Sequence, residues 1–243
     1  MESGISLRSI SISTGISRAT LHDWREHPVA RVKPRASCPR CARQSALPEP
    51  QADCAYLLGL YLEDGCLSFA STRDKKVWKL RIICADAWPG LQQECARVMD
   101  AISPGHKIGT QQWPGCVEVI SRSRHWPCLF PQHGPGRKHH RKIELEEWQL
   151  VIVRKYPGEF ARGLFHSDGW RGVNRVRRRL AGGDRWYEYP RYQFSNESAD
   201  ILRLCGETLD RLGVAWRYSR RTVISVARRE AVVRLDEFVG PKY

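Results

Sequence analysis

The chain is poor in acidic residues for its size. Its 243 residues hold 26 Asp and Glu against 40 Lys and Arg, a formal net charge of +14. Self-repulsion of that size disfavours compaction, so a polyanionic partner is expected. Long apolar runs are also missing. The longest covers about nine residues over 54–62, far short of the roughly 18 that cross a bilayer. No membrane span is expected, and no basic amphipathic helix suggests attachment to an anionic membrane surface. Met1–Thr14 shows no charged segment leading into an apolar core, so no secretory signal peptide is expected. Without an oxidising destination, the nine cysteines do not suggest a disulfide framework. Cys54, Cys84, Cys95, Cys116 and Cys205 sit in apolar patterns and suit small buried hydrophobes. Together these features make the cytoplasm the expected location.

What is present is clustered charge. Arg137-Lys138-His139-His140-Arg141-Lys142 form one basic group, Arg175, Arg177, Arg178 and Arg179 a second, and Arg217, Arg220, Arg221, Arg228 and Arg229 a third. Trp170, Trp186, Tyr187, Tyr189, Tyr192 and Trp216 lie among them. Clustered arginine with interleaved aromatics favours nucleic acid. Residues 28–50 are rich in Pro and Arg and form a linker between a short N-terminal segment, 1–27, and a main domain.

The main domain contains an internal repeat. Gly59-Leu60-Tyr61-Leu62-Glu63-Asp64-Gly65 aligns with Gly163-Leu164-Phe165-His166-Ser167-Asp168-Gly169 at a spacing of 104 residues, and Val119-Ile120-Ser121 falls on Val223-Ile224-Ser225 at the same spacing. Such a period is too long for a solenoid and indicates one duplicated unit. Apolar periodicity gives each copy the order α-β-β-α-β-β-α: helices over 53–64 and 157–168, hairpins over 66–85, 106–122, 170–195 (strands 170–174 and 189–195) and 214–226, and further helices over 90–102, 198–212 and 229–239. The first copy spans 51–130 and the second 157–243. A basic connector and a helix over 148–156 fill 131–156.

Both repeated helices end in Asp-Gly. Small residues on one face, Gly59, Ala161 and Gly163, allow close helix contact, and a glycine after each aspartate is expected at positive φ. A carboxylate at a helix C-terminus opposes the helix dipole. Two of them side by side repel and titrate as a coupled pair unless a cation lies between them. Hard oxygen donors of this kind suit Mg²⁺ or Mn²⁺.

Leu57–Gly65 and Phe160–Gly169 resemble the two LAGLIDADG motifs of single-chain homing endonucleases. The resemblance covers residues 51–243 and implies an α+β fold with two saddle-shaped antiparallel sheets in the DNA major groove. It implies metal-dependent, site-specific cleavage of double-stranded DNA, with Asp64 and Asp168 as catalytic metal ligands and Lys79, Arg81 and Arg191 as assisting basic residues. Glu63 stands at a position usually small in that family, and His166-Ser167 replaces a more apolar pair. The alternative is a non-catalytic transcriptional regulator on the same fold, as in actinobacterial relatives with a helix-turn-helix; RNA processing is a third reading. Two halves in one chain make a monomer sufficient.

Residues 14–24 are similar to part of a helix-turn-helix, with Gly15 in the turn, Ser17 as cap, and Arg18, Thr20 and His22 facing the groove. Cys38-Pro39-Arg40-Cys41 offers half of a tetrahedral Zn²⁺ site. Arg137, Lys138, Arg141 and Lys142 are expected to lie along phosphates. Arg81, Arg175, Arg177, Arg178, Tyr192, Arg217 and Arg220 complete the expected DNA-contacting set.

Overall fold

The computed structural model describes residues 6–14, 18, 21–22, 47–70 and 77–242. In the N-terminal segment, helix α1 covers Leu7–Thr14. Arg18 and His22 are exposed, whereas Thr20, Cys38 and Cys41 lie outside the described residues.

The main domain holds two copies of one arrangement. The first runs α2 (Gln51–Asp64), β1 (Gly65–Phe69), β2 (Trp78–Ala85), α3 (Pro89–Ile102), β3 (Ile108–Trp113), β4 (Cys116–Ser123) and the one-turn α4 (Trp126–Leu129). Helix α5 (Glu147–Lys155) follows the connector. The second copy runs α6 (Pro157–Asp168), β5 (Gly169–Leu180), β6 (Gly183–Ser195), α7 (Ala199–Arg211), β7 (Arg217–Arg220), β8 (Val223–Val226) and α8 (Arg229–Val239). Each copy forms a four-stranded antiparallel sheet, ordered β1-β2-β4-β3 and β5-β6-β8-β7. Pro114-Gly115 closes the β3–β4 hairpin, with Gly115 at φ 81°, as a turn with Pro before a positive-φ glycine requires. Ser198 caps α7, its side chain accepting from Ile201 N.

The two motif helices form the centre. Every residue of α2 from Cys54 to Leu62 is buried, because α6, α3, α5 and the first sheet surround it. Each fully buried Leu there contributes about 1.5–3 kcal/mol. The helices meet backbone to backbone at two glycines. A Cβ on Gly59 would lie 2.6 Å from Phe160 O, and one on Gly163 would lie 2.2 Å from Tyr56 O.

Three sequence expectations need correction. Gly65 and Gly169 do not adopt positive φ; they sit at φ −83° and −79°. Glycine is required there because a Cβ would come within 2.5 Å of Tyr61 Cα or Phe165 O, atoms of the preceding helix turn. The single spacing of 104 also fails at the strands. Val119 pairs with Ile82, and Ile224 with Phe194, all four fully buried. The equivalent strand positions are therefore Val119 and Ile224, 105 apart, and the Val-Ile-Ser match sets residues of opposite faces against each other. Finally, β5 and β6 pair from Gly169–Phe194 out to Leu180–Gly183, well beyond the expected 170–174 and 189–195. Past Asn174 neither face of the hairpin is buried, so no apolar alternation marks the outer half as strand.

Candidate active site at the foot of the motif helices

Asp64 and Asp168 end their helices side by side. The contacts between them cross the helix pair: Ser167 Oγ donates to Asp64 Oδ2, and Glu63, the residue before Asp64, meets Asp168. Burial is the main cause raising Asp64 above the ordinary aspartate value, and the neighbouring Asp168 adds to it, while the Ser167 hydroxyl, Lys138 and Lys242 oppose the rise. Glu63 is pushed well above the usual glutamate range, first by burial and then by its contact with Asp168. Asn196 Nδ2 donates to Glu63 Oε2 at 2.5 Å.

Two lysines offset the carboxylates' conflict with the helix dipoles. Lys138 Nζ donates to Tyr61 O at 2.5 Å and Glu63 O at 2.9 Å, at the end of α2. Lys242 Nζ donates to Ser167 O at 3.0 Å and Gly169 O at 2.7 Å, at the end of α6. Cations bonded to the last carbonyls of a helix are the favourable arrangement. Burial pushes Lys138 down to about 8 and lowers Lys242 as well. Sequence reasoning missed Lys242, although Lys138 and Lys242 stand at the same 104-residue spacing as the aspartates.

Beside this pair, His166 is locked between Tyr56 and the C-terminal segment. Its Nε2 lies 2.8 Å from Val239 O and so donates, which leaves Nδ1 to accept from the Tyr56 hydroxyl at 2.9 Å. Burial, with Arg162 nearby, lowers its pKa to about 4, so it is neutral.

Two cavities open around Asp168. One of about 500 Å³ is shared with Glu63, Cys66, Arg137, Lys138, Arg141 and Asn196. The other, about 450 Å³, is shared with Trp170, Arg191, Gln193 and Arg220. Arg137, Arg141, Arg191 and Arg220 are thus brought to the aspartate end. Lys79 lines neither cavity.

Strand alternation sorts the remaining expected contacts. On β2, Trp78, Leu80, Ile82 and Cys84 face the core, so Lys79 and Arg81 occupy the open face. Arg81 reaches Glu118 Oε1 at 3.3 Å and Cys66 Sγ at 3.3 Å. On the second sheet, Tyr192 and Phe194 face the core, and Arg191, Gln193 and Arg178 share the open face with Arg217 and Arg220. Five expected DNA contacts sit off the open sheet faces or are engaged by other groups of the chain. Tyr192 is 2% exposed and donates to Asp236 Oδ1, so it belongs to the core. Lys138, expected along phosphates, is held on the helix carbonyls of Tyr61 and Glu63. Arg175 and Arg177 lie on the core side of the sheet, where the hairpin overhangs, paired with Glu188 and Asp184. Lys142 is exposed and paired with Glu144.

The donors suit a hard divalent cation. All are oxygens, Asp168 helps to raise both Asp64 and Glu63, and Glu63 Oε1 is shielded from water without a hydrogen-bond partner. Among the described residues no three His, Cys, Asp or Glu side chains gather into an all-protein cage. Mg²⁺ needs only one or two protein carboxylates, its shell being filled by waters and substrate phosphate.

No protein-family model matches the chain, and no curated protein matches it. Solved structures do. The homing endonuclease I-DmoI in complex with DNA and Ca superposes with a TM-score of 0.52 at 17% identity, covering 79% of this chain and 91% of that one. I-DmoI in complex with DNA and Mn gives 0.50 at 16% identity, covering 79% and 99%. A variant of I-DmoI with its target DNA in the presence of Mg gives 0.52 at 17%, covering 79% and 98%. With two Asp-Gly helices packed through glycine and a sheet on each side, the chain has the fold of the single-chain, two-motif LAGLIDADG homing endonucleases.

Proposed function

We propose that the chain is a metal-dependent endonuclease that binds double-stranded DNA across the open faces of its two sheets and hydrolyses phosphodiesters at the foot of the motif helices. The observation that carries this is the placement of Asp64 and Asp168 together, at the junction of two sheets whose open faces bear arginine. The complexes of I-DmoI with DNA and Mn, and of its variant with target DNA in the presence of Mg, support divalent metal use. Asp64 and Asp168 would hold Mg²⁺ or Mn²⁺. Bound there, the cation supplies Lewis acidity and a more acidic water.

The chain's own residues do the rest. Arg191 and Arg220, in one cavity with Asp168, are placed to hold a phosphate near that carboxylate. Arg178, Arg191 and Arg217 on one sheet, and Lys79 and Arg81 on the other, fix the duplex by phosphate contact and base-edge hydrogen bonds. Lys138 and Lys242 position the carboxylates by holding the helix ends.

The test is incubation of the full chain with a randomised duplex library and Mg²⁺ or Mn²⁺, with cut molecules sequenced. Cleavage at one recurrent site is expected, and Asp64→Asn or Asp168→Asn should abolish it while leaving binding intact. Tight binding of a selected duplex with no cutting in either metal would refute the nuclease function and leave DNA binding alone.

A further inference from the structure

The two motif ends are not equivalent. The residue before the aspartate is Glu63 in one and Ser167 in the other, and each faces the opposite aspartate. Asp64 therefore receives a neutral hydroxyl, whereas Asp168 meets a second carboxyl group. The spaces differ as well. Glu63 and Asp168 share the cavity of about 500 Å³. Asp64 and Ser167 share one of about 60 Å³ with Leu60, His166 and Lys242.

Glu63 is built to face inward. Its Oε2 accepts from Asn196, whose own Oδ1 accepts from Ser198 N at 2.6 Å as α7 begins. Its Oε1 is shielded from solvent and has no hydrogen-bond partner. The nearest ammonium, Lys138, spends two donors on backbone carbonyls. A fixed carboxylate with one bare oxygen beside a second carboxylate is a site short of a cation, and an outer hydrogen bond such as that from Asn196 is the usual means of orienting a metal ligand.

We propose that Glu63 is a metal ligand together with Asp168, so that the chain binds two divalent cations with unequal strength, the tighter at Glu63–Asp168 and the weaker at Asp64. This rests on the metal-dependent function proposed above and adds to it an asymmetry between the halves. Mg²⁺ and Mn²⁺ accept two carboxylates with phosphate oxygens or water completing the shell. Two charged ligands bind more tightly than one charged ligand beside a hydroxyl.

Binding of Mn²⁺ to the full chain, followed by electron paramagnetic resonance of the free ion, tests this without any cleavage. Two steps are expected for the wild-type chain. Glu63→Gln keeps an acceptor for Asn196 and should weaken the tighter step by at least about tenfold. Asp64→Asn should remove only the weaker step. Ser167→Glu, which gives the second half a carboxylate, should tighten the weaker step. If Glu63→Gln binds Mn²⁺ like the wild type while Asp168→Asn loses the tighter step, Glu63 is no ligand and the inference falls, with metal binding at the aspartates left standing. If neither Asp64→Asn nor Asp168→Asn alters Mn²⁺ binding, the proposed function falls with it. Should Glu63→Gln fail to fold by circular dichroism, Ser167→Glu decides alone, and an unchanged weaker step overturns the inference.

Discussion

Gly163→Ala puts the helix contact under direct strain. The new Cβ would sit 2.2 Å from Tyr56 O, 3.0 Å from Gly59 Cα and 3.1 Å from Leu60 N. An ordinary carbon–oxygen contact needs about 3.3 Å, so the helices must separate by about 1 Å. Every clashing atom is backbone, and no side chain can rotate away. Overpacking of this kind costs about 1–3 kcal/mol, and rigid neighbours favour the upper end. Alanine returns about 1 kcal/mol through its higher helix propensity. The net expectation is a loss of about 2 kcal/mol. In a domain of this size, 1 kcal/mol corresponds to about 2–4 °C, so Tm should fall by about 4–8 °C in a thermal melt followed by circular dichroism. Gly109→Ala is the control: nothing lies within 4 Å of its added carbon, and its melt should be almost unchanged. A Gly163→Ala chain that melts at or above the wild-type temperature would mean that propensity outweighs contact, and the close approach of the motif helices would not be what holds the centre together.

Charge and pH give further tests. His166 is 4% exposed with a pKa lowered from 6.5 to about 4. Between those values the unfolded chain takes up a proton that the folded chain refuses. His166 therefore contributes its full stability above pH 6.5, about 3 kcal/mol, and loses it as the pH falls toward 4. Urea midpoints at pH 7 and 4.5 should show this drop, and His166→Gln should flatten it. Asp64→Asn relieves a buried carboxylate while keeping an acceptor for Ser167, so it should raise stability by about 0.5–2 kcal/mol in urea unfolding as it abolishes cleavage. Salt titrations of DNA binding separate the sheet faces. Losing one phosphate contact reduces the salt slope by about 0.9. Arg178→Ala or Arg217→Ala on the open face should do so, whereas Arg175→Ala, on the opposite face, should leave the slope unchanged.

The sequence made the core of the site legible because glycine and aspartate are forced there by geometry. Gly59 and Gly163 exist for backbone contact, and Asp64 and Asp168 are anomalous at helix ends unless a cation or a cationic side chain answers them. Charge clusters were less informative. Arg175 and Arg178 look alike in a basic run, yet pleating sends them to opposite faces, and only the register with Glu188 and Arg185 shows which is which. An aromatic among arginines can serve the core as easily as a groove, and Tyr192 serves the core. Lys138 reads as one of a basic run along phosphates, since nothing local shows that residues 132–142 fold back on the end of α2. The strand offset of 105 was hidden by a chance identity of three residues.

The overhanging hairpin of β5 and β6 has a consequence for evolution. Its outer half packs against no core, and it is held by pairing across the two strands and by rim contacts such as Arg178 over the Tyr187 ring at 5.5 Å. Substitutions at exposed positions of that kind usually change stability by less than about 0.5 kcal/mol. The tip can therefore drift to new sequences, and under the proposed function to new DNA targets, while the helix pair and its carboxylates stay fixed. If the chain reads DNA as proposed, target choice and structural integrity are encoded in separable parts, and a lineage can change what it recognises without passing through an unfolded intermediate.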